Sequence, residues 1–239
     1  MESRAVPVVT RTVWAQREAA GRKLRIYGEL TVAQELADAP EPRPAIILSH
    51  GFGSTHRSLA AYACAFAACG YVALGIDFCG GGAGSSSDGA WEDMTIETEK
   101  EDLLAQVRLL LANPICDPSK LFLLGASQGG VVSTLAAEEE PGLFCGLILF
   151  YPAFVLHDDA VRAYPPDAPM PEYPEALSMV VGAPYIEKAW AYHPYERMHY
   201  PGPVLICQGT EDKIVPPCYA KRAQETFPDA SFHMKWLRT

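Results

Sequence analysis

Short uninterrupted apolar runs alternate along this chain with stretches whose apolar residues recur every three or four positions. Ser231–Leu237 reads as a last strand, and Ala45–Ser49, Tyr71–Phe78, Leu121–Leu124, Gly146–Tyr151 and Val204–Gln208 are runs of the first kind. Bounded by Gly, Pro or Asn, they read as strands covered on both faces. Leu59, Tyr62, Ala63, Phe66 and Ala67 lie at helical spacing, as do Leu103, Leu104, Val107, Leu110 and Leu111. Each set makes one apolar stripe. Thr95 is placed to cap the second of these helices, with Glu97 and Glu99 in the first turn, where the helix dipole favours acidic residues. Gln128–Glu139 and Pro217–Phe227 read as further helices, and Val13–Arg17 and Leu24–Val32 as opening strands that can pair antiparallel. The alternation predicts a mostly parallel central sheet with helices on both faces, an α/β architecture. Residues 152–203, rich in Pro, Tyr and acidic side chains, break the rhythm and read as an insertion. The whole chain, 1–239, is expected to be a single domain carrying that insertion, because 239 residues suit one α/β domain and are few for two.

Composition narrows the partners. Apolar residues make up 49% of the chain, enough for a sizeable core, and 29 acidic against 19 basic residues leave a formal charge of −10. With no basic run, the chain offers no footing to a phosphate backbone or an anionic lipid surface, so neither nucleic acid nor membrane is an expected partner. No apolar run is long enough to span a bilayer, and the opening MESRAVPVVTRTVW lacks the apolar centre of a signal peptide. A cytoplasmic protein is the expectation; the oligomeric state stays open. The 7 cysteines are odd in number, irregularly spaced and without a C-x-x-C pair. They read as small buried hydrophobes in a reducing compartment, not as a disulfide framework or a metal site. No cofactor or metal motif is present: Gly80–Gly84 follows a strand, but no helix opens within it and no Lys-Ser/Thr follows.

Three segments carry chemistry. Gly125-Ala126-Ser127-Gln128-Gly129 follows the strand LFLL and precedes the helical GVVSTLAA, the setting of a nucleophile elbow. The flanking glycines allow a sharp turn that holds Ser127 above the sheet; the alternative is a serine that only caps its own helix. His50-Gly51-Phe52-Gly53 follows the strand AIILS. In a hydrolase the Phe52 amide and the Gln128 amide would form the oxyanion hole, two donors aimed where negative charge develops. The alternative is an ordinary strand-to-helix turn, and His50 itself reads as structural. Asp212, in GTEDKIVP after the strand VLICQ, sits on a loop at the carboxyl end of a strand, where such sheets put their active sites. A carboxylate there would orient a histidine and stabilise its cation; a capping or surface aspartate is the alternative.

Together HGFGSTHRS, GYVALGIDF, SSDGAWEDMTIETEKED, LFLLGASQGGVVSTLAAEE and VLICQGTEDKIVP resemble the bacterial α/β-hydrolases that include cinnamoyl and feruloyl esterases, from Ala45 to Phe232. The resemblance implies the α/β-hydrolase fold without a cofactor. It makes Ser127 the nucleophile, Asp212 the triad acid and the Phe52 and Gln128 amides the oxyanion hole. It turns residues 152–203 into a small cap over an acyl pocket, whose Tyr164, Tyr173, Trp190 and Tyr192 either line the ester site or form the cap's own core. The implied reaction is hydrolysis of a small-molecule carboxylic ester, of short acyl or hydroxycinnamoyl type, through an acyl-enzyme; amide or peptide cleavage is the near alternative.

One departure stands out. The family pattern has its catalytic histidine in a Gly-x-Gly-His-like turn after the last strand, whereas this sequence reads SFHMKWLRT there and stops. The expectation is a C-terminal end truncated before that turn, with the histidine unassigned. His233 falls within the last strand and reads as structural. His157, His193 and His199 in the insertion, and His56 near the oxyanion loop, have no spacing that assigns them. A catalytically impaired or non-catalytic hydrolase-fold protein is therefore the second functional expectation.

Overall fold

The computed structural model of the protein describes residues 6–38 and 41–235. Its strands are β1 (Val8–Ala19), β2 (Arg22–Ala33), β3 (Arg43–Ser49), β4 (Val72–Ile76), β5 (Cys116–Ala126), β6 (Gly146–Phe150), the short β7 (Glu175–Ala176) and β8 (Met179–Val180), β9 (Val204–Gly209) and β10 (Ala230–Lys235). Eight of them form one sheet in the order β1-β2-β4-β3-β5-β6-β9-β10. β1 and β2 are an antiparallel hairpin and β2 runs antiparallel to β4, while every later pairing is parallel. β7 and β8 form a separate small hairpin.

The helices are α1 (Ala60–Ala68), α2 (Ile96–Leu111), α3 (Gln128–Glu139), α4 (Leu156–Ala163), α5 (Ala183–Trp190) and α6 (Pro217–Thr226). Successive side chains of a strand point to opposite faces. Ile46 and Leu48 accordingly pack with Ala63 of α1, while their neighbour Ile47 packs with Leu103 and Val107 of α2 and Val131 of α3. Both faces of the central strands are thus dry, which is why they appear in the sequence as unbroken apolar runs. Thr95 caps α2 through a reciprocal box with Thr98, as its position predicts. Glu99 lies in the first turn of α2, as expected, but faces inward and is 1% exposed.

The parallel core follows the apolar runs closely. β1 is longer than Val13–Arg17 because it is an edge strand, buried at Ala15 alone, and its polar ends carry no apolar signal. β10 ends at Lys235, so Leu237 of the expected last strand lies outside the described residues. All seven cysteines are free, but only Cys79 and Cys116 are buried; Cys64, Cys69 and Cys218 are exposed, which corrects the reading of the set as buried hydrophobes. The insertion carries α4, the β7–β8 hairpin and α5. Among the described residues no helix is long and apolar enough to cross a membrane, and no group of three His, Cys, Asp or Glu side chains is arranged to hold a metal.

Candidate active site

One residue, Ser127, separates the end of β5 from the start of α3, and it has φ 52° and ψ −119°. A side chain rarely occupies that backbone region, which costs about 1–3 kcal/mol and persists only where the surroundings hold it. Here the Ser127 N–H donates to the Phe150 carbonyl at 2.9 Å, and its own carbonyl accepts from the Gly130 and Ala153 amides at 2.9 and 3.0 Å. Glycines make the turn sterically possible. A methyl group at Gly129 would overlap the Ser49 and His50 carbonyl oxygens, and one at Gly51 would lie 3.1 Å from Ser127 Cβ.

Ser127, Phe52 and Gln128 line one cavity of about 500 Å³. Ala160, Leu177, Tyr185 and Ile186 of the insertion wall it on one side, and Ile214 and Val215 of the loop after β9 on another. The lining is mostly apolar. Asp159, Arg162, Glu175 and Lys213 add charge, with Arg162 donating to Asp159 at 2.6 Å. Gln128 is the first residue of α3, and the first amides of a helix have no partner within it. Among the described residues neither the Phe52 nor the Gln128 amide donates to a backbone acceptor.

Asp212 is not part of the cavity lining, although the next three residues are. Its carboxylate accepts from the Ile214 and Val215 amides at 2.9 Å and from Gln208 Nε2 at 3.0 Å. It therefore shapes the loop that forms one wall.

Among the described residues the histidines do not line the cavity. His50 is buried: its Nδ1–H donates to the Gly51 carbonyl at 2.8 Å and its Nε2 accepts from the Phe78 amide at 3.2 Å. Burial pushes its pKa down, opposed by the Gly51 bond, so the ring stays neutral and structural. His56 donates through Nδ1 to Asp77 at 2.7 Å. His157 donates to the Trp190 carbonyl at 2.7 Å, and its ring lies 4.5 Å from that of His193 at a tilt of 50°. His233 is exposed on β10, opposite Cys207. Among the described residues no histidine lines the cavity or hydrogen-bonds the Ser127 hydroxyl.

Of the two expected alternatives, lining the ester site or forming the cap's own core, Tyr164 and Trp190 take the second. Tyr164, Tyr173, Trp190 and Tyr192 do not line the cavity. Tyr192 is buried in the main core, Trp190 donates to the Tyr164 carbonyl at 2.9 Å, and Tyr173 is exposed beside Trp91. Tyr185 is the insertion's aromatic wall, with its ring 5.4 Å from that of Phe52. Sequence reasoning also passed over Glu99. Its only mark is a position in the first turn of α2, which equally suits an exposed acid.

A family model described as serine aminopeptidase, S33, matches residues 40–182. No curated protein is significantly similar to the chain in sequence. Among solved structures the chain is similar to Est1E from Butyrivibrio proteoclasticus with ferulic acid bound, at 23% identity and a TM-score of 0.79 over 92% of this chain and 88% of that one. It is similar to DcsB in complex with its substrate analogue, at 20% identity and a TM-score of 0.74 over 96% and 91% of the two chains. A putative hydrolase from Agrobacterium vitis S4 matches at 23% identity and a TM-score of 0.70 over 95% and 90%. At these identities the structural likeness shows a shared fold.

Proposed function

We propose, from the premise that the chain belongs to the serine aminopeptidase S33 family of α/β-hydrolases, that it hydrolyses small carboxylic esters through an acyl-enzyme on Ser127. One observation carries the reading: a serine held at φ 52° between a strand and a helix, opening into a largely apolar cavity of about 500 Å³. A cavity of that size suits a short acyl or single-ring acyl group. In this reading the Ser127 hydroxyl attacks the ester carbonyl carbon while a general base takes its proton. The Phe52 and Gln128 amides stabilise the oxyanion, a term for which one donor is typically worth about 3 kcal/mol of barrier. Collapse expels the alcohol, which regains the proton, and water then releases the acid by the same route. Asp212 is the acid that orients the base. Est1E, with ferulic acid bound, has the same fold, which supports an aromatic acyl group among the candidates.

A second reading is a hydrolase-fold protein that binds a small apolar acid without turnover. The observation favouring it is that, among the described residues, no histidine lines the cavity. Intact-mass labelling with a fluorophosphonate separates the two. Prompt addition of one phosphonyl group, absent in Ser127→Ala, is the result expected of the esterase. A folded protein that is not labelled, but binds a hydroxycinnamic acid saturably, would favour the second reading.

A further inference from the structure

The side chain of Gln128 is held by two elements that take no part in the elbow. It is 2% exposed. Its Nε2 donates to Glu99 Oε2 of α2 at 2.7 Å, and its Oε1 accepts from the Tyr185 hydroxyl of α5 at 2.6 Å. The same nitrogen lies 3.8 Å from the Met94 sulfur. In this arrangement the Tyr185 hydroxyl donates to the amide oxygen and the amide nitrogen donates to Glu99, so both polar atoms of the Gln128 side chain are bound. The Tyr185 ring also contacts Phe52, so one side chain of the insertion touches both residues to which oxyanion donors are assigned above.

We propose that Glu99 and Tyr185 are positioning residues that clamp the Gln128 side chain and thereby hold the Gln128 amide at the geometry the oxyanion requires. The proposal rests on the reading of Ser127 as the nucleophile. Burial pushes the Glu99 carboxyl up to about 8, opposed by the bond from Gln128. At neutral pH it is thus an uncharged acceptor. The groups facing it include no cation. Gln128 comes from α3 and Tyr185 from α5, where burial holds the phenol neutral. Met94 and Gly81 precede α2. Asp102, on the same helix, is paired with Arg17 of β1 and accepts from the Cys79 amide. Ionisation of Glu99 would therefore set an uncompensated negative charge behind the amide that receives the oxyanion, and turnover would fall.

The test compares the full-length wild type with Ser127→Ala, Glu99→Leu, Glu99→Gln and Tyr185→Phe. The readouts are steady-state hydrolysis of p-nitrophenyl butyrate and the rate of fluorophosphonate labelling, from neutral to alkaline pH. Glu99→Leu and Tyr185→Phe are expected to lower kcat about ten- to a hundredfold with KM unchanged, the scale of a small misplacement of catalytic groups. Glu99→Gln, which keeps a carbonyl acceptor, is expected to retain most of kcat. Wild-type kcat is expected to fall above about pH 8, and that fall is expected to be missing in Glu99→Gln. Unchanged kcat in folded Glu99→Leu and Tyr185→Phe would overturn the clamp alone, as would an effect confined to KM or an alkaline fall that persists in Glu99→Gln. A wild type that neither turns over nor labels would overturn the nucleophile reading and the clamp with it. Should Glu99→Leu not fold, Tyr185→Phe, which removes a single oxygen, decides.

Discussion

At Asp77, burial and hydrogen bonding act in opposite directions. The residue is fully buried, which by itself raises a carboxyl pKa. The His56 ring and amide at 2.7 Å and the Ser86 amide at 2.9 Å outweigh burial and hold the pKa below the usual value. A depressed acid adds stability above its unfolded pKa and loses it as pH falls through the folded one. Asp77→Asn is therefore expected to cost about 2 kcal/mol at neutral pH, the scale of hydrogen bonds to a charged group. The difference from wild type should shrink as the medium is acidified below about pH 4. Denaturant melts at neutral and acid pH measure this, and a difference independent of pH would speak against a charged Asp77. Neither this role nor that of Glu99 was legible in the sequence. The two acids lie in ordinary contexts, and only the packing around them decides which is ionised.

At the scale of elements, the elbow depends on how closely α3 approaches the end of β3. A methyl at Gly129 meets backbone carbonyls of Ser49 and His50, which cannot rotate away as a side chain can. Gly129→Ala is expected to destabilise the fold by about 3 kcal/mol or more, the upper range for overpacking. Gly142→Ala, where an added methyl meets nothing within 4 Å, is the control that should melt like wild type. Thermal melts of the two variants side by side check the contrast. The elbow was readable because its constraint is local: a strand, a tight turn and a helix follow one another within a few residues. The insertion was readable as a break in the rhythm, but its internal elements were not, because they pack against residues distant in sequence such as Phe52 and Met94. Its aromatic content alone did not separate Tyr185, which lines that cavity, from Tyr192, which belongs to the core beneath.

At the scale of the whole molecule, the edge hairpin is tied to the body by Arg17. Its Nε donates to Asp102 of α2, and its Nη1 lies 3.5 Å from Glu101. Asp102 is fully buried and Arg17 nearly so. Removing one partner of such a pair leaves the other buried and unpaired, which typically costs about 3–5 kcal/mol. Arg17→Leu is expected to lose stability on that scale, with the loss relieved as pH falls, because burial raises the Asp102 pKa and the acid left without its cation takes a proton. Urea titrations at neutral and acid pH check it, and a loss below about 1 kcal/mol, the worth of an exposed pair, would mean that the pair is solvated.

The sequence by itself determined the parallel core, the elbow and the loops that flank it. Apolar periodicity, glycine placement and helix caps act over a few neighbouring residues, and those rules are written along the chain. Phe52, Ser127 and Gln128 share a cavity, as the resemblance implies, but the tertiary structure alone decided that Tyr185 closes one side of it. It alone turned Glu99 inward against Gln128 and set Asp77 against His56. These pairings join residues tens of positions apart, and their strength comes from desolvation, which exists only once the elements have packed.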